Sequence, residues 1–113
     1  MTKSPQPYLI LVEEALKAAQ MYSAVSHEVF MREPMRQDAV CMRMHEAGEN
    51  MACIRRGFPE FYAEHEREDW HRIIALRNLI GHGYESVSPE IIWNILKEDI
   101  PVFLEYLAEV QAL

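Results

Sequence analysis

Apolar residues recur along this chain every three or four positions, the period of helices with one side buried. Over residues 8–30, Leu11, Ala15, Ala18 and Tyr22 form one row, and Ile10, Ala18, Met21 and Val25 a second beside it. Ser4-Pro5 precedes them with a helix-start signal: a serine cap and a proline at the first helical position. The pattern predicts one long helix over residues 8–30, ending before Pro34. A second helix is predicted over residues 35–56, with Gly57 as its C-terminal cap and Pro59 blocking continuation. It carries the row Val40, Met44, Ala47, Met51 and Ile54. A second row on it is Met35, Ala39, Met42, Glu46, Glu49 and Cys53. Two rows mean cover on two sides, more than one neighbour in a small bundle provides, which hints at a dimer interface.

Residues 57–69 read as a linker whose Phe58, Phe61 and Tyr62 pack back onto the bundle. Asp69 is placed to cap a helix over residues 70–80. Ser88-Pro89 repeats the helix-start signal ahead of Ile91, Ile92, Ile95, Ile100, Phe103, Leu104, Leu107 and Val110. Pro101 inside this last helix removes one backbone bond and predicts a kink or a split. No stretch alternates as a strand does. The expected architecture is all-α, an antiparallel four- to five-helix bundle forming a single domain over residues 1–113.

Composition narrows the classes. Half of the 113 residues are hydrophobic, enough for a core, yet no apolar run is long enough to span a membrane. The N-terminal stretch lacks the pattern of a signal peptide. Cys41 and Cys53 lie 12 residues apart on one predicted helix, about 18 Å along its axis, too far to pair. A cytoplasmic setting is the natural expectation. The histidines show no metal-ligand spacing, so no metal and no cofactor is expected. The net charge of −7 argues against general phosphate binding, but eight of the eleven basic residues are arginines, all between Arg32 and Arg77. Arg32, Arg36 and Arg43 suit either an RNA-tracking face or an ordinary solvated one.

The densest chemistry lies in WHRIIALRNLIGHGY, residues 70–84. Arg77, Asn78, His82 and Tyr84 fall within eight residues, and Gly81 and Gly83 flank the histidine. On an unbroken helix Arg77 and His82 would stand about 140° apart. If the helix ends at Gly81, His82 can swing back towards the arginine. An imidazole can then move the proton of a 2′-hydroxyl or of a leaving 5′-oxygen. A guanidinium can bind the phosphate and stabilise its transition-state charge. The attacking hydroxyl belongs to RNA itself, so no metal-bound water is needed. The same spacing also suits a plain helix end, with His82 capping carbonyls and Arg77 in a surface ion pair. Glu46 and Glu49 interrupt an otherwise apolar row; they read as ion-pair partners at the bundle or dimer seam, or, for Glu49, as a group that orients Arg77 or His82. Trp70 and Trp93 read as core anchors.

The stretch from Arg77 to Tyr84 resembles the R-x-x-x-x-H-x-Y motif of HEPN-domain ribonuclease toxins. More narrowly, the chain resembles the HepT group, the toxin halves of HepT/MntA toxin–antitoxin pairs. RQDAV, AGEN, DWHRIIALRN and the stretch from Ile92-Trp93 to Asp99-Ile100-Pro101 carry the likeness in order. It departs from the group's pattern at Gly83, Glu85 and His45. The resemblance implies a homodimer that brings two motifs together in one cleft. It implies Arg77 and His82 as catalytic residues cutting mRNA or tRNA, with Asn78 in support. It further implies that a nucleotidyltransferase antitoxin (MntA-like) adds AMP to Tyr84 and silences the toxin. The alternative is a non-catalytic HEPN module whose pocket binds a nucleotide or that nucleotidyltransferase.

Overall fold

The computed structural model describes residues 4–81 and 87–113; His82 and Tyr84 lie outside the described residues. Every described element is helical and no strand occurs among them. Helix α1 (Gln6–Tyr22) starts where Ser4-Pro5 predicts, with Ser4 Oγ accepting the Gln6 N–H at 3.1 Å. It buries Leu9, Val12, Ala15, Leu16 and Ala19, the three–four spacing of a single packed face. This face is rotated from the predicted rows: Ile10, Leu11 and Met21 are exposed.

The predicted long first helix is broken. Ser23 ends α1, its buried hydroxyl donating to the Ala19 carbonyl at 2.9 Å. Ser26 then caps α2 (His27–Arg32), its Oγ accepting from the Val29 N–H. Two serines that bond their own backbone offer the chain an alternative to helix, and here it wins over the apolar period.

Helix α3 (Pro34–Gly57) is the spine, packing on both α1 and α5. Val40, Met44, Ala47, Met51 and Ile54 are fully buried, as their spacing predicts. The second row diverges: Met35 and Met42 are exposed, and Glu46 turns to Arg43 on its own helix, 3.1 Å away. Gly57 is the last helical residue rather than a cap beyond it; Phe58 ends the helix and Pro59 opens the next.

The predicted linker holds a further helix, α4 (Pro59–His65). Its buried Tyr62 lies 5.4 Å, ring to ring, from fully buried Trp70 and hydrogen-bonds His71 Nδ1. Helix α5 (Glu68–Gly81) begins one residue before Asp69, whose carboxylate therefore sits inside the first turn and caps nothing.

Ser88 caps α6 (Pro89–Asn94) as expected. The effect of Pro101 is absorbed upstream. A π-helical turn, Ile95–Asp99, joins α6 to α7 (Ile100–Gln111), with Pro101 in the first turn of α7. The helix runs on through this turn, with the Ile100 N–H bonded to the Ile95 carbonyl, so the wider π-helical turn accommodates the proline within one continuous helix. Helix α7 buries Ile100, Phe103, Leu107 and Val110 and packs on α1. Trp93 stacks beside Phe30 and His27, tying α6 to α2. No helix of the described residues is long and apolar enough to cross a membrane.

Candidate active site

Helix α5 turns Trp70, Ile73, Ile74, Leu76 and Ile80 inward. Arg77, four residues after Ile73, falls at the edge of this face, against α3. Gly48 makes the approach possible. A Cβ there would stand 2.7 Å from the Ile73 carbonyl oxygen and 3.1 Å from the Arg77 nitrogen. The bare glycine thus lets α3 lie directly on the backbone turn of α5 that carries Arg77.

The next residue of α3, Glu49, meets the arginine head: Glu49 Oε1 lies 3.8 Å from Arg77 Nη1. That is an ion pair without a close hydrogen bond. The Arg77 side chain keeps 26 % of its surface exposed, and its buried Nε has no hydrogen-bond partner among the described residues. The guanidinium is placed but its donors are not used up. One turn earlier on α3, His45 Nε2 lies 4.0 Å from the same Glu49 oxygen. A Cβ on Gly81, the last residue of α5, would be 3.4 Å from His45 Nε2. His45, Glu49 and Arg77 therefore form a line that ends beside the residue bonded to His82.

Asn78 goes elsewhere. It is exposed and lines a groove of about 680 Å³ with Asp69, Arg72, Leu76, Leu79, Ile95, Asp99 and Phe103. The structure brings Glu49 to Arg77 and turns Asn78 to the neighbouring face. The predicted roles of His82 and Tyr84 concern residues outside the described ones. His45 had one sequence signal, its four-residue spacing from Glu49, which places two side chains on the same face of a helix.

The other arginines are largely engaged. Arg36 bonds Glu33 and the Tyr22 carbonyl, Arg43 bonds Glu46, and Arg32 faces Glu28. Arg67 lies over the Tyr106 ring, 4.3 Å from its centroid. Trp70 and Trp93 are core or near-core residues, as expected. Burial, and secondarily Asp38, pushes the Cys41 thiol up to about 11, so it is no nucleophile at neutral pH. Among the described residues no group of three or more potential ligands could hold a metal ion.

Fold and site together define an all-helical protein in which an arginine-led motif closes a helix against a carboxylate of its neighbour. The chain belongs to the HepT-like ribonuclease family: residues 12–110 match the family described as "Ribonuclease HepT-like". It is 26 % identical over 102 residues to "Probable ribonuclease HepT" of Thermococcus cleftensis, covering 89 % of this chain and 90 % of that protein. It is 25 % identical over 91 residues to "Putative RNase MJ1380" of Methanocaldococcus jannaschii, covering 80 % and 81 %. No solved structure matches the chain significantly. The resemblance read from the motif is thus borne out at the level of the family.

Proposed function

We propose that this protein is a metal-independent endoribonuclease toxin acting as a homodimer, with RNA as substrate and a nucleotidyltransferase as antitoxin. The observation that carries the reading is Arg77. It is held 3.8 Å from Glu49, remains partly exposed, and stands five residues ahead of the motif histidine. Its guanidinium binds the scissile phosphate and steadies the charge that builds on the oxygens in the transition state. His82 moves a proton of the reacting oxygens. The 2′-oxygen forms a bond to phosphorus, the bond from phosphorus to the 5′-oxygen breaks, and a 2′,3′-cyclic phosphate and a 5′-hydroxyl result. The nucleophile is the substrate's own, so a bound metal has no required part.

Regulation follows from charge. An AMP group on Tyr84, two residues from His82, places a phosphate and a bulky nucleoside beside the motif, where they repel and exclude RNA. The second row of α3, with exposed Met35 and Met42 leading to Glu49, supports a dimer that meets beside the site.

The test is cleavage of mRNA and tRNA by the purified chain in the presence of a chelator. Wild-type protein should cut and leave cyclic-phosphate ends, while Arg77→Ala and His82→Ala, folded by circular dichroism, should not. A wild-type chain as inert as His82→Ala sinks the enzyme reading and leaves the binding-module alternative. Mass spectrometry of Tyr84 after co-expression with an MntA-like nucleotidyltransferase tests the switch. An unmodified tyrosine with growth arrest still relieved would mean neutralisation by sequestration.

A further inference from the structure

Helix α3 packs on α1 and on α5, and α1 packs on α7. The remaining seam, between α5 and α7, holds the groove of about 680 Å³ that Asn78 borders. Its floor is apolar and buried, formed by Ile73, Leu76 and Phe103, with Leu79 and Ile95 at its sides. A smaller hollow of about 210 Å³ continues it past Asp69, Arg72 and Asp99, which border both. We propose that this groove docks a helix of a partner protein, apolar on its inward face and carrying lysine or arginine at the end that reaches Asp99. The occupant belongs to the nucleotidyltransferase of the reading above, on which this inference rests.

Charge selects that occupant. Glu68, Asp69, Glu98 and Asp99 border the smaller hollow, against only Arg67 and Arg72. Four carboxylates less two cations leave a surplus of two negative charges at this end. Both cations are already drawn aside. Arg67 Nε lies 3.7 Å from Asp69, with its guanidinium over the Tyr106 ring, and Arg72 Nε lies 4.0 Å from Glu68. RNA would bring phosphates, which this end repels. A second copy would bring a net charge of −7. A basic helix end meets the surplus with complementary charge. The length fits as well. Leu79 follows Asp69 by ten residues, about 15 Å along α5, which matches about three turns of a docked helix. Leu79 and Val102, one on each wall, are large apolar side chains left exposed for a partner to cover. Asn78 and Leu79 directly follow Arg77, so a helix seated here lies beside the phosphate-binding residue.

The test is direct binding, which needs no cleavage. The full-length chain is titrated with an MntA-like nucleotidyltransferase by calorimetry, at low and at high salt. Leu79→Asp, Asp99→Lys and, on the exposed face of α1, Leu11→Asp are treated alike after their folding is checked by thermal melt. Leu79→Asp should weaken Kd about tenfold or more. Asp99→Lys should weaken it about tenfold at low salt and less at high salt. Leu11→Asp should stay within about twofold of wild type. Val102→Asp, on the opposite wall, repeats the apolar test should Leu79→Asp fold poorly. Wild-type binding that both groove variants leave intact overturns the docking surface while the partner reading stands. No binding by wild type removes the partner reading and this occupant with it. Loss in Leu79→Asp with none in Asp99→Lys overturns the basic helix. Groove variants that change only the binding of a labelled RNA, read by fluorescence anisotropy, would make the groove an RNA subsite and overturn the proposal.

Discussion

Gly48→Ala probes the contact on which the site is built. The added methyl would stand 2.7 Å from the Ile73 carbonyl oxygen, which is backbone and cannot rotate away. Reaching an ordinary contact of 3.4 Å requires α3 and α5 to part by the difference between 2.7 and 3.4, about 0.7 Å. Overpacking of this kind costs about 1–3 kcal/mol, and alanine's better helix propensity returns about 1 kcal/mol. A net loss of about 1 kcal/mol or slightly more should lower Tm by about 4–6 °C for a chain of this length. The same shift carries Arg77 away from Glu49. A displacement approaching 1 Å costs about tenfold to a hundredfold in rate, so RNA cleavage should fall further than stability does. The measurements are a thermal melt by circular dichroism and kcat/KM on a defined RNA. Gly57→Ala is the matched control. Nothing lies within 4 Å of its added Cβ, and it should raise stability by about 0.5–1 kcal/mol. If Gly48→Ala melts at or above wild type and cuts RNA normally, the close crossing does not set the position of Arg77, and the account of the site is wrong.

Other expectations rest on separate contacts. Glu49→Gln keeps the shape of the side chain but removes the charge facing Arg77 and His45; the pair is half-exposed and contributes at most about 1 kcal/mol to stability. Its Tm should therefore stay within a few degrees of wild type while kcat/KM drops about tenfold, and a variant as active as wild type would remove Glu49 from the site. Ser26→Ala deletes the cap of α2 and should cost about 1 kcal/mol in a chemical-denaturation curve, since Val29 loses its acceptor; an unchanged midpoint would show that the cap bond is not formed in solution. Cys41 is buried, and with its thiol pushed up to about 11 it carries almost no thiolate at pH 8. Alkylation followed by mass spectrometry should label Cys53 first and Cys41 only on unfolding, and equal labelling rates would contradict the burial.

Much of the fold was legible because a buried helix face repeats every three or four residues whatever it packs on. The row from Val40 to Ile54 is fully buried as read, and Ser88 caps its helix for a reason that needs no tertiary partner. The misread stretches are those where local and period signals compete. Apolar spacing runs straight through Ser23 to Ser26, yet two side-chain bonds to backbone break the helix there. The stretch 57–69 reads as linker because helix α4 is only seven residues long and depends on Tyr62 packing beside Trp70. Pro101 marks an irregularity, but the compensating π-helical turn lies before it, where a neighbouring stretch of backbone relaxes.

The candidate site divides in the same way. Residue order alone determined the motif, its arginine and histidine five positions apart, and the family that order defines. It also marked Glu49 as a carboxylate in search of a partner. Which partner it meets was decided only by the crossing of α3 on α5, set by the missing side chain of Gly48. Asn78, next to Arg77 in the chain, is turned to another face by the 100° step of a helix. His45, far from the motif in sequence, is carried to its threshold by the same geometry. Contacts between helices depend on the distance and angle at which two backbones cross, and no periodicity within one helix encodes these.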